Sequence, residues 1–244
     1  DHSLEMGPGP GTLTQRLLST GATVTAIEID DAPILHLDEI FREEQRLGQL
    51  LLHHGDALSL PWPETITKVV ANIPYQISSP LIDRLTRYQK GQSDSLTQIV
   101  LMVQLEFAQR LSMNHPADVG SLGLTVALDW DVEEHHLVPP HHFRPQPAVH
   151  SQVIEMRPHQ RFFPVDKKLL RQMIHHAFDQ RRKKIRSTLK KAPRRISRIK
   201  GWHAQRWKEA LQSLHDLEIM DARPEELSMD DWIELAKKVE KGSM

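Results

Sequence analysis

Apolar positions in the first hundred residues fall into short continuous runs, separated by longer stretches with helical spacing. Residues 3–6 read as the end of a strand. The glycine-rich turn at residues 7–11 then opens a helix through Leu13, Leu17 and Leu18. Residues 23–27, Thr-Val-Thr-Ala-Ile, predict a second strand ending in Glu28, and helical spacing follows from Ala32 to Leu47. A third strand around residues 50–52 leads into Gly55-Asp56-Ala57, and a fourth, Lys68-Val69-Val70-Ala71, ends at Asn72. A helix over residues 80–88 precedes a fifth strand at residues 98–103. This alternation predicts an α/β fold, with a parallel sheet covered by helices on both faces. After a helix near residues 106–113, strand-like runs at 122–128 and 149–156 predict an antiparallel pair at the sheet edge. Between them, residues 138–147 form a proline-rich loop too rigid for an ordinary linker. From Asp166 onward the spacing is helical only: Leu169, Leu170, Met173, Ile174, Ala177 and Phe178 share one face, and further helices are expected at 204–215 and 229–239. The pattern divides the chain into a first domain at residues 1–160 and a small all-helical second domain at residues 161–244.

Charge sharpens that division. The formal net charge of −1 conceals 9 basic against 20 acidic residues in 1–156, 18 against 2 in 157–208, and 4 against 10 in 209–244. Sixteen excess positive charges within the middle segment imply a polyanionic partner, with nucleic acid the first candidate. The candidate contacts are Arg181, Arg182, Lys183, Lys184, Arg186, Lys190 and Lys191; the alternative is an ordinary solvated helix face. Trp202 and Trp207 are the only aromatics nearby. Reading by phosphate and shape is therefore expected over base-by-base reading.

With no cysteine, disulfides, thiolate metal sites and cysteine nucleophiles are excluded, and a reducing cytoplasm is the expected compartment. The sequence contains no uninterrupted apolar run of membrane-spanning length, and no membrane partner is expected. Its first residues show no basic region followed by an apolar core, so no secretory signal is expected. Histidine is abundant at 15, but the histidines pair as immediate neighbours, for example His53-His54 and His141-His142, which point in different directions. No metal site is expected.

Two local patterns carry candidate chemistry. Asn72-Ile73-Pro74-Tyr75 follows a strand end, where ligands bind in open α/β sheets. An exocyclic base amine is a poor nucleophile because its lone pair is delocalised into the ring. The Asn72 side-chain carbonyl and the backbone carbonyl of Ile73 or Pro74 can each accept one amine hydrogen, while the Tyr75 face stacks on the base. Pro74 fixes the direction of the preceding carbonyl. A plain turn after a strand is the competing reading. Phe143, in the proline-rich loop, offers a second stacking face opposite Tyr75, or else a simple hydrophobic anchor.

The second pattern is the Gly-x-Gly-x-Gly turn, in which Gly7 and Gly9 let backbone approach a ligand. It lacks the spacing of the dinucleotide pyrophosphate fingerprint. Glu28, followed by Ile29, is placed to accept from ribose hydroxyls, and Asp56, followed by Ala57, to accept from an adenine amine. Two acidic strand ends suit an adenosine without a diphosphate, and S-adenosyl-L-methionine is the cofactor expected.

Taken in order, Glu5-Met6-Gly7-Pro8-Gly9, Glu28, Gly55-Asp56-Ala57 and the run Asn72-Ile73-Pro74-Tyr75-Gln76-Ile77-Ser78-Ser79-Pro80 resemble the motifs of the KsgA-type small-subunit ribosomal RNA adenine dimethyltransferases. So do residues 138–151, Val-Pro-Pro-x-x-Phe-x-Pro-x-Pro-x-Val-x-Ser, and residues 177–183, Ala-Phe-x-Gln-Arg-Arg-Lys. The resemblance runs from residue 4 to about residue 239, and residues 72–80 read most like archaeal and eukaryotic members. It implies a Rossmann-like S-adenosyl-L-methionine-dependent methyltransferase sheet and a C-terminal helical domain that binds rRNA. The implied activity is dimethylation of N6 on two adjacent adenosines near the 3′ end of small-subunit rRNA, within a pre-30S- or pre-40S-like particle, by a monomer taking part in ribosome biogenesis. By position, Gly7, Glu28, Asp56 and Asn72 would hold the cofactor, and Asn72, Tyr75 and Phe143 the target base. Family members carry a further Gly-Gln-(Asn/His)-Phe-Leu-like segment ahead of the first strand. In its absence the methionine end of the cofactor is expected to be open to water. Two alternatives remain beside this one: a large-subunit rRNA methylase of the antibiotic-resistance type, and a non-catalytic ribosome-assembly or transcription-assisting protein that binds RNA or DNA on the same fold.

Overall fold

A computed structural model describes residues 1–91, 96–212, 214 and 217–242. Strands β1 (His2–Met6), β2 (Thr23–Glu28), β3 (Leu50–His54), β4 (Lys68–Asn72) and β5 (Gln98–Gln104) are parallel. They alternate with helices α1 (Thr12–Ser19), α2 (Asp31–Ile40), α3 (Arg42–Arg46) and α4 (Ser78–Gly91). After α5 (Leu105–Ser112) and α6 (Ser121–Val126), strands β6 (Trp130–Val138) and β7 (Ser151–Pro158) complete the sheet. The strand order is β3-β2-β1-β4-β5-β7-β6, with β7 antiparallel to both neighbours. From β1 the chain runs outward to β2 and β3, then returns to the other side of β1 through β4. This order reversal leaves a crevice at the carboxyl ends of β1 and β4. Leu4, Val24, Ala26, Val69, Leu101 and Ile154 are fully buried in the sheet.

Two elements differ from the sequence expectation. The run at 122–128 is not a strand but lies largely within helix α6. Gly123, Leu124, Thr125 and Val126 are all buried, and burial on every side erases the periodicity that separates helix from strand. Gly123 allows the close contact: a Cβ there would overlap the Met113 side chain and the Arg110 carbonyl. The antiparallel partner of β7 is instead β6, Trp-Asp-Val-Glu-Glu-His-His-Leu-Val, which has little apolar alternation and a register shift between Glu134 and Leu137. The helix expected over residues 32–47 is also interrupted at Phe41 (φ −110°, ψ 27°), between α2 and α3.

Compactness separates residues 1–108 with 129–158 from residues 109–128 with 159–244. Leu124 and Leu128 therefore belong to the second core, together with Leu170, Met173, Trp207, Trp232 and Leu235. That core is built by α7 (Lys167–Phe178), α8 (Ile185–Thr188), α9 (Ala204–Gln212) and α10 (Met229–Lys241). Asp166 caps α7 by accepting from the amides of Lys168 and Leu169, and Ser228 with Asp231 forms a capping box on α10. Residues 213 and 215 of the helix expected at 204–215 lie outside the described residues.

Candidate active site

The turn after β1 depends on glycine. Gly7, Gly9 and Gly11 have φ of 65°, 54° and 83°, a left-handed region that side chains with a Cβ disfavour. Gly11 also sits against α2, where a Cβ would lie 2.6 Å from the Phe41 ring and 2.8 Å from Leu37. Gly7 donates to the Ile27 carbonyl at 2.9 Å, and a Cβ on Gly7 would point at the Asn72 carbonyl, 4.0 Å away. The ends of β1, β2 and β4 thus meet at this turn.

Glu28 is 4% exposed. Its Oε1 accepts from the amides of Ile29 (2.8 Å) and Asp30 (3.1 Å), and its Oε2 from Gly9 (3.1 Å). A carboxylate offers about four acceptor positions, so one remains for a ligand. Asp56 accepts from the Leu58 amide at 2.8 Å and the Ser59 hydroxyl at 2.7 Å, with one position left on each oxygen. Those two bonds, Ser59 foremost, hold its carboxyl below the usual carboxylate range. The following loop is held from α4: the Arg84 guanidinium donates to the Leu58 and Leu60 carbonyls and lies 4.4 Å over the Trp62 ring, while Trp62 Nε1 donates to the Ala57 carbonyl at 3.0 Å.

At the end of β4, Ile73 is buried and Asn72 is exposed. Tyr75 opens a 3-10 turn, Tyr75–Ile77, and its hydroxyl lies 2.7 Å from Ser151 Oγ. A cavity of about 620 Å³ lies at these strand ends, lined by Gly7, Glu28, Ile29, Asp56 and Ala57 together with Asn72, Pro74, Tyr75 and Phe143. Gly9 does not line it, and reaches the site only through its bond to Glu28. The lining carries the carboxylates Glu28, Asp30 and Asp56 and no lysine, arginine or histidine.

Beneath the turn, Glu5 is 1% exposed, with Oε2 buried and without a hydrogen-bond partner. Burial pushes its carboxyl up to about 7; the neighbouring Thr14 hydroxyl and amide pull back against the rise, and the Glu28 carboxylate adds to it. Glu5, Ser151, Arg84 and Trp62 were not singled out from sequence. Glu5 and Ser151 stand within the quoted motifs, whereas nothing local marks Arg84 or Trp62.

In the second unit, Arg181, Arg182, Lys183, Lys190 and Lys191 are exposed and make no ion pair among the described residues. Lys184 and Arg186 are instead held by Asp221, the first at 2.8 Å. Trp202 and Trp207 are core residues, 7% and 1% exposed, and so present little ring surface to a partner. Among the described residues no three acidic, histidine or cysteine side chains cluster as for a metal, and no helix is long and apolar enough to cross a membrane.

The donor set fits S-adenosylmethionine. Its adenosine presents hydroxyls and an amine to carboxylates, whereas a diphosphate would meet only negative charge in the cavity. Sheet order, glycine turn and acidic strand ends define a Rossmann-like methyltransferase that uses S-adenosylmethionine. A family model described as ribosomal RNA adenine dimethylase matches residues 1–201, and the chain belongs to that family. The probable ribosomal RNA small subunit methyltransferase A of Methanospirillum hungatei JF-1 is 36% identical over 242 residues, spanning 97% of this chain and 88% of the relative. The ribosomal RNA small subunit methyltransferase A of Synechocystis is 36% identical over 257 residues, spanning 96% and 82%. A dimethyladenosine transferase from Plasmodium falciparum has a similar crystal structure, with a TM-score of 0.81, 26% identity and coverage of 100% and 91%. The 23S rRNA methyltransferase ErmE shares the fold at a TM-score of 0.64 and 24% identity, covering 98% and 91%.

Proposed function

We propose that this chain dimethylates N6 of two adjacent adenosines near the 3′ end of small-subunit rRNA. It acts as a cytoplasmic monomer on an immature small-subunit particle, and takes part in that particle's biogenesis. The observation that carries this reading is the convergence of Glu28, Asp56, Asn72, Tyr75 and Phe143 on one cavity at the β1/β4 crevice.

Bound there, S-adenosylmethionine supplies an electrophilic methyl group. Glu28 accepts from the ribose and Asp56 from the adenine amine. The Asn72 side-chain carbonyl and a backbone carbonyl of Ile73 or Pro74 accept the two N6 hydrogens of the target base, drawing nitrogen density out of the ring toward the methyl carbon. Tyr75 and Phe143 hold the base between their faces. Amide carbonyls are too weakly basic to take the proton from N6, which leaves to water once the new bond has made the nitrogen cationic. In the second transfer N6 carries one hydrogen, so one of the two carbonyls is enough. Arg181, Arg182, Lys183, Lys190 and Lys191 contact rRNA phosphates, with Lys184 and Arg186 contributing where Asp221 releases them.

Transfer of labelled methyl groups from S-adenosylmethionine to small subunits lacking the modification, followed by mass spectrometry of the rRNA, tests this function. Two dimethyladenosines near the 3′ end are expected. Tight binding to the particle with no label transferred would favour a non-catalytic assembly protein. Label confined to the large subunit would refute the substrate.

A further inference from the structure

Tyr75 is anchored at two separate points. Its backbone opens the 3-10 turn in which Ile77 donates to the Pro74 carbonyl at 3.1 Å. Its phenol shares the 2.7 Å hydrogen bond with Ser151, 76 residues further along the chain. Ser151 is fully buried. As the first residue of β7 it pairs with Gln104 of β5 on one side and Val138 of β6 on the other, and the preceding His150 carbonyl accepts from Leu105 at 3.0 Å. Because the Ser151 backbone is paired on both sides at the start of β7, its hydroxyl offers the phenol an anchor carried on fixed backbone.

This second anchor has a geometric consequence. A half-buried tyrosine held only by its backbone can exchange between χ1 wells, and each exchange redirects the ring face. A hydrogen bond on the para oxygen disfavours that exchange. Ring flips about the remaining axis swap equivalent edges and leave the face where it was. The two carbonyls near Asn72 accept N6 hydrogens only if the base plane is set correctly, and that plane follows the ring it stacks on.

We propose that Ser151 is a positioning residue for methyl transfer: by holding the Tyr75 hydroxyl, it sets the ring face on which the target adenine stacks, and with it the approach of N6 to the methyl group. The proposal rests on the function argued above and deepens it. Ser151 is not among the residues lining the cavity, so its loss should appear in the transfer step and leave cofactor binding intact.

The test compares Ser151→Ala, Tyr75→Phe and the double variant in single-turnover transfer to unmethylated small subunits, with S-adenosylmethionine affinity measured by calorimetry. Each single change should slow transfer about tenfold, the cost of losing one hydrogen bond that orients a reacting group. The double variant should be no slower than the slower single, because both changes remove the same bond. Cofactor affinity should stay within about twofold. Tyr75→Phe removes the bond from the half-buried side, so it carries the test alone if Ser151→Ala fails to fold. Wild-type rates in the singles, or a double variant slowed by the product of the two factors, would overturn the role of Ser151. Tyr75→Ala separates the two levels. Slow transfer in Tyr75→Ala beside wild-type Ser151→Ala and Tyr75→Phe would sink the positioning role alone. A Tyr75→Ala variant at full rate would sink the site assignment and this role together.

Discussion

Replacing Glu5 by glutamine should stabilise the protein at alkaline pH and leave it unchanged in acid. The carboxyl sits on β1 one residue before its end, is 1% exposed and leaves Oε2 without a partner, while the nearby Glu28 accepts from three backbone amides. Glu5 is thus the carboxyl left short of donors, and burial raises it from 4.5 to about 7. A raised acid destabilises the folded state wherever the unfolded chain has already lost the proton. Below 4.5 both states hold it and there is no cost. Between 4.5 and about 7 the cost grows, and above that it is complete. The interval corresponds to about 3 kcal/mol. Glutamine matches the shape and never ionises. Urea unfolding of Glu5→Gln and the parent, extrapolated to water, should therefore give similar stabilities at pH 4 and a difference approaching about 3 kcal/mol at pH 8. A difference independent of pH would show that Glu5 keeps an ordinary carboxyl, and that the substitution acts only through packing.

Asn72→Ala should slow methyl transfer by about 10²-fold, the cost of removing one transition-state hydrogen bond, in a protein that unfolds at the parent temperature; a normal rate in single turnover would refute the role. Arg84→Met keeps an apolar stem near Trp62 but removes the donors to Leu58 and Leu60. It should weaken S-adenosylmethionine binding about tenfold in calorimetry, and an unchanged affinity would mean that the Asp56 loop holds itself. Changing Arg181, Arg182 and Lys183 to glutamine should flatten the salt dependence of rRNA binding by up to about three in slope. The same change at Lys184 and Arg186 should flatten it less, because Asp221 already pairs with both, and equal losses per residue would show that the rRNA displaces Asp221.

The parallel half of the fold was legible because each strand is a short apolar run ending in a residue that cannot continue it, such as Gly7, Gly55 or Pro74. The crevice followed from that alternation; nine of the ten residues expected at the cofactor and target base line one cavity there, Phe143 reaching it from the proline-rich loop. Gly9 falls outside the lining and meets it only through its amide, which donates to Glu28. The edge of the sheet was not legible. Helix α6 is buried on every side, and β6 pairs through backbone while presenting acids and histidines. Contacts between distant positions left no local trace either: a phenol meets a hydroxyl 76 residues away, and Arg84 spends its donors on backbone carbonyls that every residue possesses.

The acidic strand ends show a further limit of reading chemistry from residue type. Sequence places Glu28 and Asp56 as acceptors, but acceptor capacity depends on how many lone pairs the protein has already used. Asp56 keeps one position on each oxygen and can meet an amine without rearrangement. Glu28 keeps one in total, so it can accept one ribose hydroxyl directly, and a second only by giving up an amide. The Gly9 amide is the bond whose loss disturbs least, since Ile29 and Asp30 lie next to Glu28 in the chain, whereas Gly9 belongs to the turn.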